Sequence, residues 1–411
     1  MIEPRYRIYT TPGSYSTLVG GLMFGGQKQS SQQLSEKISA LMQSTFALPV
    51  PQCRVGIYLA VKQLVPAGKK ILLSPYTLAD VVNMVVCAGA VPVFVDIDRK
   101  TCNISPQSIE QQIDGDVAAV LVTHLHGLAC DMDAVVSLCK QHDLRLIEDV
   151  AQSFGARYKG QFLGTFGDAG LFSFGMYKAV NAFYGGMLLS PHEGLYRAVS
   201  SELKQLPDFD KVLLAKKMVS GLASDIATWP PLFSIFTFWI FRYAYLNDIE
   251  WLNRKVKVDI DPQLKEEIPQ EYLCQMSEVQ AELVLKQLST YAGFIEKRIR
   301  LAEFYDSGLN DVQELVIPPL QTDGSHIYSH YAVQAPEREE LIRYLISNGQ
   351  DVAIQHLKNC ASVPCFSEYY RDCPNAEVTA SQNILMASYA RYPESAVEKN
   401  ISLIRKFYGY G

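Results

Sequence analysis

The sequence predicts an α/β fold: a large domain on a mostly parallel sheet flanked by helices, followed by a smaller C-terminal α+β domain. Three observations support this. The chain has 411 residues, more than one small core accommodates. Short apolar runs alternate with amphipathic stretches between residues 70 and 149, the pattern of buried parallel strands joined by crossover helices. From about Ser277 that alternation gives way to longer helical periodicity. The division falls at residues 1–270 and 271–411, with an aromatic-rich insertion over about 195–265.

In chain order, residues 35–64 read as two helical pieces broken by Pro49, Val50 and Pro51, the second covering 54–64. Residues 71–75 read as a strand, 78–87 as a helix and 91–95 as a strand. The unit repeats with a buried strand at 117–122, an amphipathic helix at 131–142 and a strand at 144–148 that delivers Asp149 to its carboxyl end. In such sheets ligands bind beyond the carboxyl ends of the strands. After Gly160 short β segments are expected, with 169–174 and Gly186–Ser190 flanking Lys178. Two long helical stretches follow Ser277, then a strand at Tyr331–Gln334 and helices at 338–348 and 396–407.

The composition is globular, 48% hydrophobic and 19% charged. A net charge of −6 with no long basic run argues against a nucleic-acid partner, which needs clustered Lys and Arg. Nine scattered cysteines lack the paired spacing of a zinc site, so reduced thiols in a cytoplasmic protein, and no metal, are expected. The stretch from Met1 to Arg7 has charges but no apolar signal core after them, which speaks against export.

The candidate chemistry concentrates on Lys178. It ends the run Phe172-Ser173-Phe174-Gly175-Met176-Tyr177-Lys178, and Asp149-Val150-Ala151-Gln152 begins 29 residues upstream. A lysine that condenses with an aldehyde, an acid for a pyridinium nitrogen and a serine for a phosphate are what pyridoxal 5'-phosphate requires of a protein. A carboxylate beside the ring nitrogen favours its protonated form, each pKa unit being worth ~1.4 kcal/mol. Strand alternation puts Glu148 and Asp149 on opposite faces, so one of them faces the site, and the context favours Asp149. Gln152 is placed to reach the ring 3-oxygen and Ser173 to reach the phosphate. The glycines in Tyr184-Gly185-Gly186 let backbone approach a ligand closely. A desolvated lysine has a lowered pKa and is a good nucleophile toward a carbonyl; once freed, it carries the proton between substrate and cofactor carbons. The helix beginning at Arg54 offers the amides of Arg54 and Val55, plus a guanidinium, to a phosphate. Arg54 reads equally well as a surface cap.

These stretches resemble the DegT/DnrJ/EryC1/StrS family of sugar aminotransferases, which have the aspartate aminotransferase fold (fold type I). Ser74-Pro75-Tyr76-Thr77, together with residues 88–98, is similar to the family's first βαβ signature. Thr123-His124-Leu125-His126-Gly127 with Asp131-Met132-Asp133, and residues 147–156 with Tyr158-Lys159-Gly160 and Gly164, resemble its central motifs. The resemblance implies a homodimeric, pyridoxal-phosphate-dependent enzyme. Such an enzyme moves an amino group, usually from glutamate, onto a keto carbon of a nucleotide-linked sugar in polysaccharide or secondary-metabolite biosynthesis. It also implies Asp149 at the pyridine nitrogen, Gln152 at the ring oxygen, Ser173 on the phosphate and Lys178 as the covalent attachment. Relatives with histidine at the lysine position are dehydratases; this chain keeps lysine.

Three positions depart from the family pattern. Its Gly-Thr or Gly-Ser ahead of the phosphate helix reads Cys53-Arg54, and the aromatic residue that stacks on the ring reads Leu78. The Asn-Tyr-Arg-Met stretch, whose Asn reaches the partner subunit's cofactor, reads Leu273-Cys274-Gln275-Met276, although Glu278, Gln280 and Ala281 follow the pattern. Two other readings therefore stay open: the same cofactor with a non-sugar carbonyl acceptor, and a non-catalytic cofactor-binding regulator or scaffold. Retention of Asp149, Gln152, Ser173 and Lys178 argues against the scaffold.

Within the insertion, residues 227–246 are twenty mostly apolar residues with aromatics toward both ends. Their length matches a membrane-spanning helix, but Pro230, Pro231 and Arg242 weaken that assignment. A full crossing would also strand part of a cytoplasmic fold on the far side. A helix buried in the dimer interface or lidding the site is one reading. The other is a monotopic patch in peripheral contact with a membrane, where Lys204, Lys211, Lys216, Lys217, Arg254, Lys255 and Lys257 would suit anionic headgroups.

Overall fold

The structure, a computed structural model, describes residues 1–249, 261–354 and 357–410. Its main sheet has seven strands in the order Phe46–Val50, Gly186–Ser190, Ala169–Ser173, Arg145–Asp149, Val117–Thr123, Lys70–Leu73 and Val91–Phe94. The last five run parallel to one another. Gly186–Ser190 is antiparallel to its neighbour, and Phe46–Val50 is antiparallel to it in turn. The expected mostly parallel sheet flanked by helices is present.

Its strands are apolar on both sides because both sides are covered. Leu72, Val120, Val122, Leu146 and Phe172 pack into one apolar cluster, while Ile71, Leu73, Leu121, Ile147 and Leu171 pack into another. This is the period-two alternation of a strand buried on each face. Both clusters close over the sheet with helices, among them Cys53–Leu64 and Ala79–Cys87 on one side and Met132–Gln141 on the other.

Two expectations are corrected. The break at Pro49 to Pro51 is not a gap between helical pieces: Phe46–Val50 is the outermost strand of the sheet, with Pro49 opposite Met187. An edge position tolerates proline, since one side of the strand lacks a ladder partner. The insertion is more helical than its sequence suggested, with helices Glu193–Gln205 and Lys211–Ala227. After a break at Thr228 and Trp229, residues 230–246 form one helical run, Pro230–Leu232 passing through a wider π-type turn at Phe233–Thr237 into Phe238–Leu246. No helix among the described residues is long and apolar enough to cross a membrane. Arg254, Lys255 and Lys257 lie outside the described residues.

A second, antiparallel sheet has Asn383–Met386 at its centre, between Tyr331–Gln334 and Ala353–Ile354. Helices Tyr291–Leu309, Arg338–Ser347 and Glu394–Phe407 contribute Tyr305, Leu345 and Ile404 to its core, which also takes in Tyr9 from the start of the chain. The helix Glu278–Gln287 instead packs Val279, Leu283 and Val284 into the main-sheet core.

Candidate active site

Asp149 is the last residue of Arg145–Asp149 and is buried. Its Oδ1 accepts the Ala151 N–H at 2.9 Å and a long contact, 3.8 Å, from the Cys53 thiol. Burial pushes its carboxyl pKa up, while the Ala151 N–H, Lys178 and the Cys53 thiol pull the other way. Glu148 points to the opposite face, as alternation requires. Its carboxylate accepts the N–H groups of Gly164, Phe166 and Gly167 at 2.8, 2.7 and 2.9 Å and meets His124 Nε2 at 3.3 Å. His124 Nδ1 accepts the Cys130 N–H at 3.1 Å, which assigns the ring proton to Nε2, toward Glu148. Glu148 therefore anchors a loop, and Asp149 is the carboxylate left for a ligand.

Lys178 lies in the turn after Ala169–Ser173, its own N–H donating to Gly175 O at 3.0 Å. The side chain is half-buried. Burial lowers the amine's pKa, Asp149 and Cys53 oppose that, and Arg298 reinforces it. Ser173 Oγ accepts the Gly175 N–H at 3.3 Å, which leaves its own proton to donate. Gln152 Oε1 accepts the His126 N–H at 2.9 Å, so its Nε2 is the end left for a ligand. His126 holds this position with a left-handed backbone, φ 56°.

The helix Cys53–Leu64 begins without a side-chain cap from Gln52, and its first internal bond runs from the Gly56 N–H to Gln52 O. The N–H groups of Cys53, Arg54 and Val55 are thus the free donors of a helix start, an arrangement that favours anions. Strand Gly186–Ser190 runs directly against them: a Cβ added at Gly186 would lie 2.8 Å from Cys53 N and 2.6 Å from Phe172 O. Glycine is required there by proximity.

Arg54 does not turn its guanidinium toward this cluster. It pairs with Asp80, lies 3.2 Å from Tyr272 Oη and stacks over the Tyr272 ring; Lys265 binds the same Asp80 at 2.5 Å. Its contribution to an anion is the backbone amide. Leu78 precedes the helix Ala79–Cys87 and packs, half-buried, against the cluster containing Tyr76 and Ala79. Leu273 packs against that same cluster, and Gln275 Nε2 donates to Leu206 O at 2.9 Å within the same chain.

The structure thus brings Asp149, Lys178 and Cys53 together, with Ser173, Gln152 and the helix-start amides on the same carboxyl edge of the sheet. Two neighbours were not singled out from sequence. Cys53 was noted only as a departure from a motif, and nothing in Lys297-Arg298-Ile299-Arg300 marks which arginine turns inward. Arg298 is buried, and its Nε and Nη2 donate to Tyr9 Oη at 3.2 and 3.0 Å.

Comparison with known proteins gives the class. A model described as the DegT/DnrJ/EryC1/StrS aminotransferase family matches residues 20–205 and 255–405. The chain belongs to that family and is an aminotransferase. It is 28% identical to the spore coat polysaccharide biosynthesis protein SpsC of Bacillus subtilis, over 79% of this chain and 72% of that protein. It is 26% identical to GDP-perosamine synthase of Escherichia coli O157:H7, over 92% of this chain and 90% of that one. Among solved structures, an aminotransferase from Psychrobacter cryohalolentis superposes with a TM-score of 0.78 at 20% identity, covering 100% of this chain and 99% of that chain. At that identity the likeness establishes the fold alone.

Proposed function

We propose that this aminotransferase moves an amino group, with glutamate as donor, onto a keto carbon of a nucleotide-linked sugar, using pyridoxal 5'-phosphate attached at Lys178. One observation carries the reading: a buried carboxylate and a lysine of depressed pKa share one edge of the sheet with an uncapped helix start. The sugar acceptor is supported by the relatives, one named for GDP-perosamine synthesis and another for spore coat polysaccharide. A cytoplasmic homodimer is part of the same proposal.

The residues suit the cofactor part by part. Asp149 would face the pyridine nitrogen, where its charge keeps the ring protonated. Gln152 Nε2 would donate to the ring oxygen. The Ser173 hydroxyl and the N–H groups of Cys53, Arg54 and Val55 would hold the phosphate, and Leu78 offers the ring an apolar neighbour. Bound there, the cofactor supplies an electron sink for the carbanion left when the amino-bearing carbon loses its proton. Burial keeps a larger share of the Lys178 amine neutral than in water, so Nζ can accept that proton and return it to the neighbouring carbon.

Incubating the protein with pyridoxal phosphate and then L-glutamate tests this. The visible absorption of the lysine-bound cofactor should convert to the shorter-wavelength band of its amine form in wild type and stay unconverted in Lys178→Ala. A coloured wild type that does not respond to glutamate would remove glutamate as the donor.

A further inference from the structure

One surface has no task in the amino transfer. It lies on Lys211–Ala227 and on the helical run that follows through Phe238–Leu246. On the first helix Val212, Val219, Leu222 and Ile226 recur at steps of seven, three and four, a single stripe, and all are exposed. On the second, Ile235, Phe236, Trp239, Ile240 and Tyr243 share one face and are each at least half exposed, with Trp229 exposed at the junction. The inner faces of these helices are already used, since Leu214, Gly221, Phe233, Phe238 and Ala244 are buried. Soluble chains rarely expose so many large apolar side chains on two successive helices without a partner.

Charge identifies the partner. Lys211 and Lys216 border the first stripe, both exposed and neither in an ion pair among the described residues. Of the nearby acids, Asp210 caps the first helix by accepting the N–H groups of Val212 and Leu213, Asp225 accepts from Tyr15 and Thr10, and Asp208 is exposed just before the helix. Arg242 lies over the Trp239 ring, 5.5 Å from its centroid. The chain as a whole is acidic, with a net charge of −6, so these cations, unpaired among the described residues, are a local feature. Lysine is depleted in protein–protein interfaces, and a two-fold contact of this face with itself would set like charges against each other. Indole and phenol rings beside lysines instead suit the headgroup level of a bilayer.

We propose that this face docks on an anionic lipid surface. The helices lie in the interface without crossing it, apolar stripes inward and lysines at the phosphates.

Co-sedimentation with vesicles tests it and needs neither cofactor nor substrate, so its outcome is separate from that of the amino transfer. Wild type should pellet with phosphatidylcholine vesicles containing phosphatidylglycerol, bind phosphatidylcholine alone far less, and be released by salt. Phe236→Ser/Trp239→Ser should reduce binding about tenfold, and Lys211→Glu/Lys216→Glu should abolish the preference for the anionic lipid. Circular dichroism melts matching wild type would show that both variants fold. Wild type left in the supernatant with both vesicles overturns the proposal. So does a halved particle mass for Phe236→Ser/Trp239→Ser without vesicles, which would make the face a contact between two copies.

Discussion

Asp149 and Glu148 are adjacent in sequence and opposite in task. Glu148 receives three N–H groups, that of Gly164 buried and those of Phe166 and Gly167 partly so, so Glu148→Ala should leave them without an acceptor and cost on the order of 3 kcal/mol, read as a lower denaturation midpoint. Asp149 works against stability. Its folded pKa is raised by burial, so the group favours the fold below its unfolded pKa, near 4, and loses that contribution as pH rises through the folded value. Asp149→Asn keeps an oxygen for the Ala151 N–H and removes the buried charge. The cofactor-free variant should therefore melt no lower than wild type at pH 7, lose any advantage below pH 4, and turn over at least about a hundredfold more slowly. A clear fall in its melting temperature at pH 7 would contradict this account. The spacing of Asp149, Gln152, Ser173 and Lys178 was legible in the chain because a strand end and the turn after its neighbour fix it locally. Cys53 was not, since its thiol reaches Asp149 across 96 positions and only the folded sheet joins them.

At the scale of elements, the helix start at Cys53 and the strand Gly186–Ser190 form one device. Gly186→Ala would press a methyl onto Cys53 N and Phe172 O, both backbone atoms that cannot rotate away. It should cost about 1–3 kcal/mol and weaken phosphate binding, measured as a rise of at least about tenfold in the pyridoxal phosphate dissociation constant. Unchanged affinity would place the phosphate elsewhere. The central strands were readable as apolar runs because both their faces are buried. Phe46–Val50 was obscured by Pro49, whose effect on a strand depends on whether that strand lies at the edge, a property of the whole sheet. Lys211–Ala227 was missed because an outward apolar stripe beside an inward one blurs the helical period that sequence reading relies on.

Across the whole molecule, the core contains histidines that must stay neutral. Burial pushes His126 down to about 4 and His326 down to about 3. Because these folded values lie below the unfolded one, the stability they allow is complete above pH 6.5 and declines as pH falls toward the folded values. By pH 5 each should have cost roughly 2 kcal/mol. The thermal midpoint should drop between pH 7 and 5, and His126→Gln/His326→Gln should flatten that slope; an equally steep slope would contradict the assignment. Sequence shows that seven histidines exist but not which are enclosed, because enclosure arises where distant segments meet. The assembled site makes its strongest demand at Lys178, and borohydride trapping of the cofactor-saturated protein followed by peptide mass mapping tests it most directly. The label should fall on the peptide containing Lys178 and vanish in Lys178→Ala, whereas an unmodified Lys178 in saturated protein would contradict the account.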